Sequence, residues 1–410
     1  MSGLHPNKSS LSPQALSSTA IPTIHGYIAP GYEAVRDQFT SNLRRPDDLG
    51  GAFSAVVDGA TVVDLWGGIA DPQRGVIWQE DTVAGILSGT KGLVAICLLK
   101  LIETGRLALD EAVATYWPEF AQNGKQDISV RQLVSHQAGL PGIEEPISPQ
   151  EATNCTHMAE LLSRQAPICR PGTQLYYHAL SFGWLCGELV RRIDGRSVGR
   201  FFAEEVAAPL HLDIWVGLPE REKRRVATTE IDQALAIGSG IENADSLSEQ
   251  VRWSIWENPQ RYTGNPLPVN SAYWQEAEVP GSSGIGSARS LARLYGCLAR
   301  GGELDGVRVL QPETINLGQS VLSIGLEPFI GKTMAFGVGF QLQTKAQPFG
   351  PAEAAFGHTG AGGSVHGAWP NLRCGFSFVT NKLMGSADAD QRVLGLLTPL
   401  FAAVEASNHS

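Results

Sequence analysis

No apolar run in this sequence approaches the roughly 20 residues that a membrane-spanning helix requires. A helical membrane anchor is therefore not expected. The first twenty residues, MSGLHPNKSSLSPQALSSTA, are rich in serine and lack the apolar centre of a secretion signal. They read as a loose tail over residues 1–23, and the expected compartment is the cytoplasm. Positive charge is also short. Lys and Arg total 31 against 41 Asp and Glu, and the net charge of −10 argues against a general nucleic-acid binder or docking on an anionic membrane. Cysteine is scarce, with six residues and no C-x-x-C, so a reducing environment without disulfides is expected. There is no H-E-x-x-H, and the nine histidines form no cluster at ligand spacing, so neither a metal nor another cofactor is expected.

What is present is apolar bulk. Of 410 residues, 43% are hydrophobic and 18% charged, enough for a large core in one domain or two. Ile24–Asn42 reads as a helix. Gly51–Val57 and Ala60–Trp66 read as strands joined by Asp58-Gly59, a two-residue hairpin signal. Asp81–Gly105 holds the most apolar helical run, stopped at Gly105 by a natural C-cap. Helices and loops follow, among them Ser129–Ala138, Leu180–Ile193 and Val198–Val206. Trp253–Trp274 gathers aromatics in a stretch that reads as loop. Ser287–Arg300 reads as a helix capped by Ser287. Ala335–Gln343, Gly363–Trp369 and Gly375–Asn381 read as strands, and Arg392–Val404 as a last helix. Strands near both ends with helices between them predict an α+β fold. One antiparallel sheet forms from both chain ends with flanking helices, and a mainly helical domain is inserted. The expected boundaries are 24–106 with 280–410 for the sheet domain and 107–279 for the insertion.

The chemistry centres on Ser88 and Lys91, an S-x-x-K at the front of the apolar run. Three residues is about one helical turn, so both side chains share a face. A buried helix start offers free N–H groups and the positive end of the dipole. Taken singly, such a serine is an ordinary N-cap and such a lysine ordinary surface. Downstream stand Tyr177, in a loop just before a helix, and His358-Thr359-Gly360, on a strand whose glycines let a ligand approach the backbone. Each alone also has a structural explanation, as core tyrosine or satisfied histidine. His136, in S-H-Q-A-G-L-P, reads as structural. Gly195-Arg196-Ser197-Val198-Gly199 matches G-x-S-x-G, but a charged helix end precedes it where a nucleophile elbow needs a buried strand. Gly331-Lys332-Thr333 has Leu326 where a phosphate loop needs glycine, and is rejected.

In that order, S-x-x-K, Tyr177 and His358-Thr359-Gly360 resemble the motifs of the penicillin-recognising serine hydrolases. These are class C β-lactamases, DD-peptidases and, closest, family VIII carboxylesterases. DTVAGILSGTKGL, LVSHQAGLP, YYHALSFGWLCGELV and FGHTGAGGS carry the likeness, which runs from about Ile24 to Leu400. The resemblance implies an active site between sheet and helical domain and a serine carboxylesterase acting through a Ser88 acyl-enzyme. Lys91 and Tyr177 would serve as the base pair, with burial, mutual proximity and the helix dipole lowering both pKa values. The N–H groups of Ser88 and Ala361 would hold the oxyanion. His358 and Gly360 would bind substrate, and Trp253, Trp256 and Tyr262 would line an acyl or alcohol pocket. Two departures matter. Ala179 stands where the family has an asparagine, so it cannot supply an amide to substrate or lysine. His358 replaces the lysine of K-T-G, and a neutral imidazole suits a neutral ester better than the carboxylate of a penicillin. The expected partner is a small ester of short or medium chain, with neither nucleic acid nor membrane. The alternatives are a β-lactamase or DD-peptidase, an acyltransferase using the same serine, and a non-catalytic binding or scaffold relative.

Overall fold

The computed structural model describes residues 23–232, 246–385 and 390–408. The chain enters as a strand rather than the expected helix. Ile24–Ile28 (β1) joins a sheet edge, and a helix (α1) begins only at Glu33 and runs to Leu43. Pro30-Gly31 divides the two, because Gly31 sits at φ 93°, which no helix continues through. The hairpin signal is met. Gly50–Val57 (β2) and Ala60–Asp71 (β3) pair antiparallel, and Asp58 and Gly59 both take positive φ, 52° and 88°.

Six further strands come from the last third of the sequence. They are Ser323–Glu327 (β4), Lys332–Phe336 (β5), Gln341–Leu342 (β6), Phe356–Thr359 (β7), Val365–Trp369 (β8) and Cys374–Thr380 (β9). The order is β1-β3-β2-β9-β8-β7-β6-β5-β4, antiparallel throughout. The sheet is thus built from both chain ends, as expected, with β2 and β9 joined at its centre. Ala335–Gln343 is not one strand. Gly337 and Gly339 turn the chain between β5 and β6, with Gly339 at φ 74° and the Gly337 N–H bonded to the Phe340 carbonyl.

The two faces of the sheet alternate as the pleat requires. On β9, Cys374, Phe376 and Phe378 face a core shared with α1 and the final helix Gln391–Asn408. Gly375 and Val379 face the other side. There a helix, Ala288–Ala299, lies so close that a Cβ on Gly375 would sit 2.0 Å from the Gly296 nitrogen. The apolar run before Gly105 forms a helix, Thr90–Glu103 (α2), buried on every side, with Leu93 to Leu99 fully inaccessible. Against it packs Ser181–Asp194 (α3). Ser246–Trp256 (α4) is also helical, so Trp253 and Trp256 lie on a helix rather than in a loop.

Candidate active site

Ser88 stands in a 3-10 turn, Leu87–Gly89, that feeds directly into α2. The residue before it, Leu87, is held at φ 47°, a conformation that costs a non-glycine residue roughly 1–3 kcal/mol and persists only where its surroundings enforce it. The residue after it must be small. A Cβ on Gly89 would lie 2.5 Å from the His366 ring. One helical turn on, Lys91 is wholly buried, with Nζ 3.1 Å from Ser88 Oγ.

The surroundings of Lys91 decide its protonation. Nζ donates to the carbonyls of Ala179 and Gly281, each at 2.8 Å. A neutral amine has two N–H donors and one lone pair, so the carbonyls take both hydrogens and the lone pair faces Ser88. Burial holds the Lys91 pKa well below its usual value, and the nearby charge of Arg261 pushes the same way. The departure at Ala179 therefore leaves the lysine held, since a main-chain oxygen does the holding.

Tyr177 completes the group. Its hydroxyl bonds to Ser88, and Lys91 Nζ lies 4.9 Å from its ring centre. The ring is clamped on several sides. Trp256 stacks on it at 6.0 Å, Phe336 at 6.1 Å, and His136 lies 5.0 Å away. Buried Glu327 accepts the Tyr177 N–H. The expectation that burial lowers both pKa values is half wrong. Burial disfavours whichever form is charged, so it lowers Lys91 but raises the Tyr177 phenol above its usual range. The phenol stays protonated.

His358 is buried on β7 with its ring 6.2 Å from that of Tyr177. Its Nδ1 lies 2.7 Å from the Thr359 carbonyl, which can only accept, so Nδ1 carries the proton and Nε2 presents a lone pair with no partner. Burial, with the nearby Lys91, pushes its pKa down to about 3, and the imidazole is neutral. His366, opposite it on β8, bonds Ser377 and is held neutral by the same desolvation. At the end of β7, a Cβ on Gly360 would lie 2.6 Å from the Ile86 carbonyl, so the segment leading to Ala361 runs against the approach to Ser88.

Of the expected pocket residues, Trp256 meets Tyr177, and the Tyr262 hydroxyl bears electrostatically on it. Trp253 has no ring contact with Tyr177 among the described residues. A shallow cavity beside Leu87 is lined instead by Val269, Trp274, Ser282 and Ser283. Ser197 caps the helix Val198–Phe202 and donates to Glu278. Lys332 and Thr333 are strand residues of β5. His136 takes φ 64° and accepts the His178 N–H on Nδ1. Arg261, Gly281, Glu327 and His366 were not singled out by the sequence. A carbonyl, a loop cation, a strand-end glutamate and a histidine on the strand beside the motif carry no local signal.

The sequence matches the family described as Beta-lactamase over residues 39–398. It is 32% identical over 364 residues to the esterase/beta-lactamase LipL of Mycobacterium tuberculosis, covering 88% of this chain and 83% of that one. Two solved structures each show 34% identity and a TM-score of 0.85, covering 93% of this chain and all of theirs. One is a penicillin-binding protein homolog from Caulobacter crescentus and the other a family VIII carboxylesterase. EstA from Arthrobacter nitroguajacolicus shows 30% identity and a TM-score of 0.81, covering 93% and 98%. With its antiparallel sheet, its buried helix behind Ser88 and these relatives along nearly its whole length, this chain belongs to the beta-lactamase family and is a serine hydrolase.

Proposed function

We propose that the protein is a carboxylesterase that cleaves short- to medium-chain acyl esters through an acyl-enzyme on Ser88. The observation that carries this reading is the buried Lys91 amine, whose Nζ lies 3.1 Å from Ser88 Oγ and 2.8 Å from each of the Ala179 and Gly281 carbonyls, so that in its neutral form, with both hydrogens on the carbonyls, its lone pair is left for Ser88. In the first step Ser88 Oγ attacks the ester carbonyl and its proton passes to Lys91. The N–H groups of Ser88 and Ala361 hold the oxyanion. As the tetrahedral adduct collapses, the C–O bond to the leaving alkoxide breaks. Tyr177 donates its phenolic proton to that oxygen and is reprotonated from Lys91, so the alcohol departs neutral. In the second step water attacks the Ser88 ester, its proton is taken along the same path, and the acid leaves with Ser88 restored. His358 binds substrate as a neutral acceptor through Nε2, and Gly360 lets the acyl group pass close to the main chain. Trp256 and Tyr262 border the pocket. The six free thiols, four of them buried, suit a reducing compartment, and we place the protein in the cytoplasm.

Hydrolysis of p-nitrophenyl esters from acetate to decanoate tests this directly. Wild type should cleave the shorter esters, and Ser88→Ala should not. A fluorophosphonate should label Ser88 alone. Cleavage that persists in Ser88→Ala would sink the proposal. β-Lactam hydrolysis is a second reading, favoured by the likeness to the Mycobacterium tuberculosis esterase/beta-lactamase, and a nitrocefin assay reads it out.

A further inference from the structure

Near the Ser88 group lies a cation that nothing among the described residues balances. Arg261 is 4% exposed, in the chain segment that follows α4. Its Nε has no hydrogen-bond partner, and among the described residues it forms no ion pair. The adjacent Tyr262 lies against it, with its ring centre 5.2 Å from the guanidinium. Two acidic side chains near it among the described residues are otherwise engaged. Glu257 pairs with Arg252, and Glu327 accepts the N–H groups of Tyr177 and Ile330. An arginine cannot shed its proton to escape burial, so a buried guanidinium without a counter-ion is costly until an anion arrives. Its position is informative as well. Its charge acts on Lys91 and Tyr177, the two groups that flank the nucleophile.

We infer that Arg261 is an anion receptor at the edge of the active site, and that the preferred substrates are esters carrying a carboxylate on one of their two halves. The inference rests on the esterase reading above. A guanidinium presents a planar fork of donors that matches a carboxylate with two parallel bonds. In a water-poor pocket such a pair is stronger than on a surface, and it orients the ester over Ser88 from one end. The carboxylate could sit on the acyl or the alcohol half, and both are served by one receptor chemistry.

The test compares kcat/KM for two pairs of esters on three proteins. Mono-p-nitrophenyl glutarate, charged on the acyl half, is set against p-nitrophenyl butyrate. 4-Butyryloxybenzoate, charged on the alcohol half, is set against its methyl ester. Each pair is measured with wild type, Arg261→Gln and Arg261→Lys. The charged ester should be preferred in at least one pair. Arg261→Gln should reduce that charged-over-neutral ratio by about 10–100-fold, the range of one charge-assisted contact. Arg261→Lys should recover part of it, and which pair responds identifies the half that carries the charge. Wild type that cleaves both members of each pair alike overturns the inference and leaves the esterase reading standing. So does an Arg261→Gln variant that slows both members equally. If wild type cleaves no ester at all, the esterase reading fails, and calorimetric titration with glutarate decides Arg261 separately. Binding that Arg261→Gln abolishes upholds the receptor, and no binding to wild type overturns it.

Discussion

Two main-chain oxygens fix the chemistry of Lys91, and a consequence is visible in its pH dependence. The neutral amine is the form that can take the Ser88 proton. Its pKa is depressed by burial first and by Arg261 second, so the active form already predominates well below the usual lysine range. Activity should fall only as the pH drops through that lowered pKa. Tyr177 is raised above 10 by burial, so no loss from its ionisation is expected below that value. His358 at about 3 should add no step near the ordinary histidine pKa of 6.5. A kcat/KM profile with a step at 6–7 that disappears in His358→Gln would contradict the neutral assignment. Lys91→Gln keeps the size and removes the base, and should lower kcat by about 10²–10⁴-fold. At this scale the sequence was informative where chemistry is local. Ser88 and Lys91 are one turn apart, and their spacing alone puts them on one face. Arg261 was illegible because a cation among prolines, asparagines and glutamines reads as solvated, and only the folded chain shows it covered.

The element that aims Lys91 is the contact between α3 and the turn at Gly281. A Cβ on Gly183 would lie 2.0 Å from the Gly281 nitrogen, against main chain that cannot swing aside. Gly183→Ala should therefore displace the Gly281 carbonyl, costing about 1–3 kcal/mol of stability and most of kcat. One turn further along α3, a Cβ on Gly187 would meet its nearest atom at 3.4 Å, an ordinary contact, so Gly187→Ala should be nearly silent. Thermal unfolding and kcat measured on both variants check this, and equal damage in the two would refute it. Elements were read correctly where a boundary signal is unambiguous, as at the stop near Gly105 and the N-cap Ser287. They were misread where a short strand leads into a helix. Ile24–Ile28 is an edge strand with three exposed residues out of five, so it lacks the alternation that marks a half-buried strand. β4 escaped for a similar reason, with Ile324 and Leu326 facing solvent.

Arg392 holds distant parts of the molecule in one place. Its side chain and that of Asp48 are each 1% exposed, and it also bonds Asp390 and the carbonyls of Lys382 and Gly362. Gly362 is the neighbour of Ala361, so the same arginine steadies the segment proposed to hold the oxyanion. Arg392→Met strands a buried Asp48 carboxylate and should cost about 3–5 kcal/mol. A chemical denaturation curve gives the loss, and a change under 1 kcal/mol would show that the cluster holds nothing. The sheet's assembly from both ends was legible in the distribution of strands. The centre of that sheet was not, since nothing in residues 50–57 names 374–380 as their partner.

That central pairing also sets a timetable. During synthesis β1, β2 and β3 emerge first, and the exposed edge of β2 has no neighbour until β9 has been made some 320 residues later. At ordinary translation rates that wait is on the order of tens of seconds. Ser88 and Lys91 thus appear well before β7 and β8, whose His358 and His366 lie beside their group. A nascent chain carries its proposed nucleophile long before the strands that enclose it have been made.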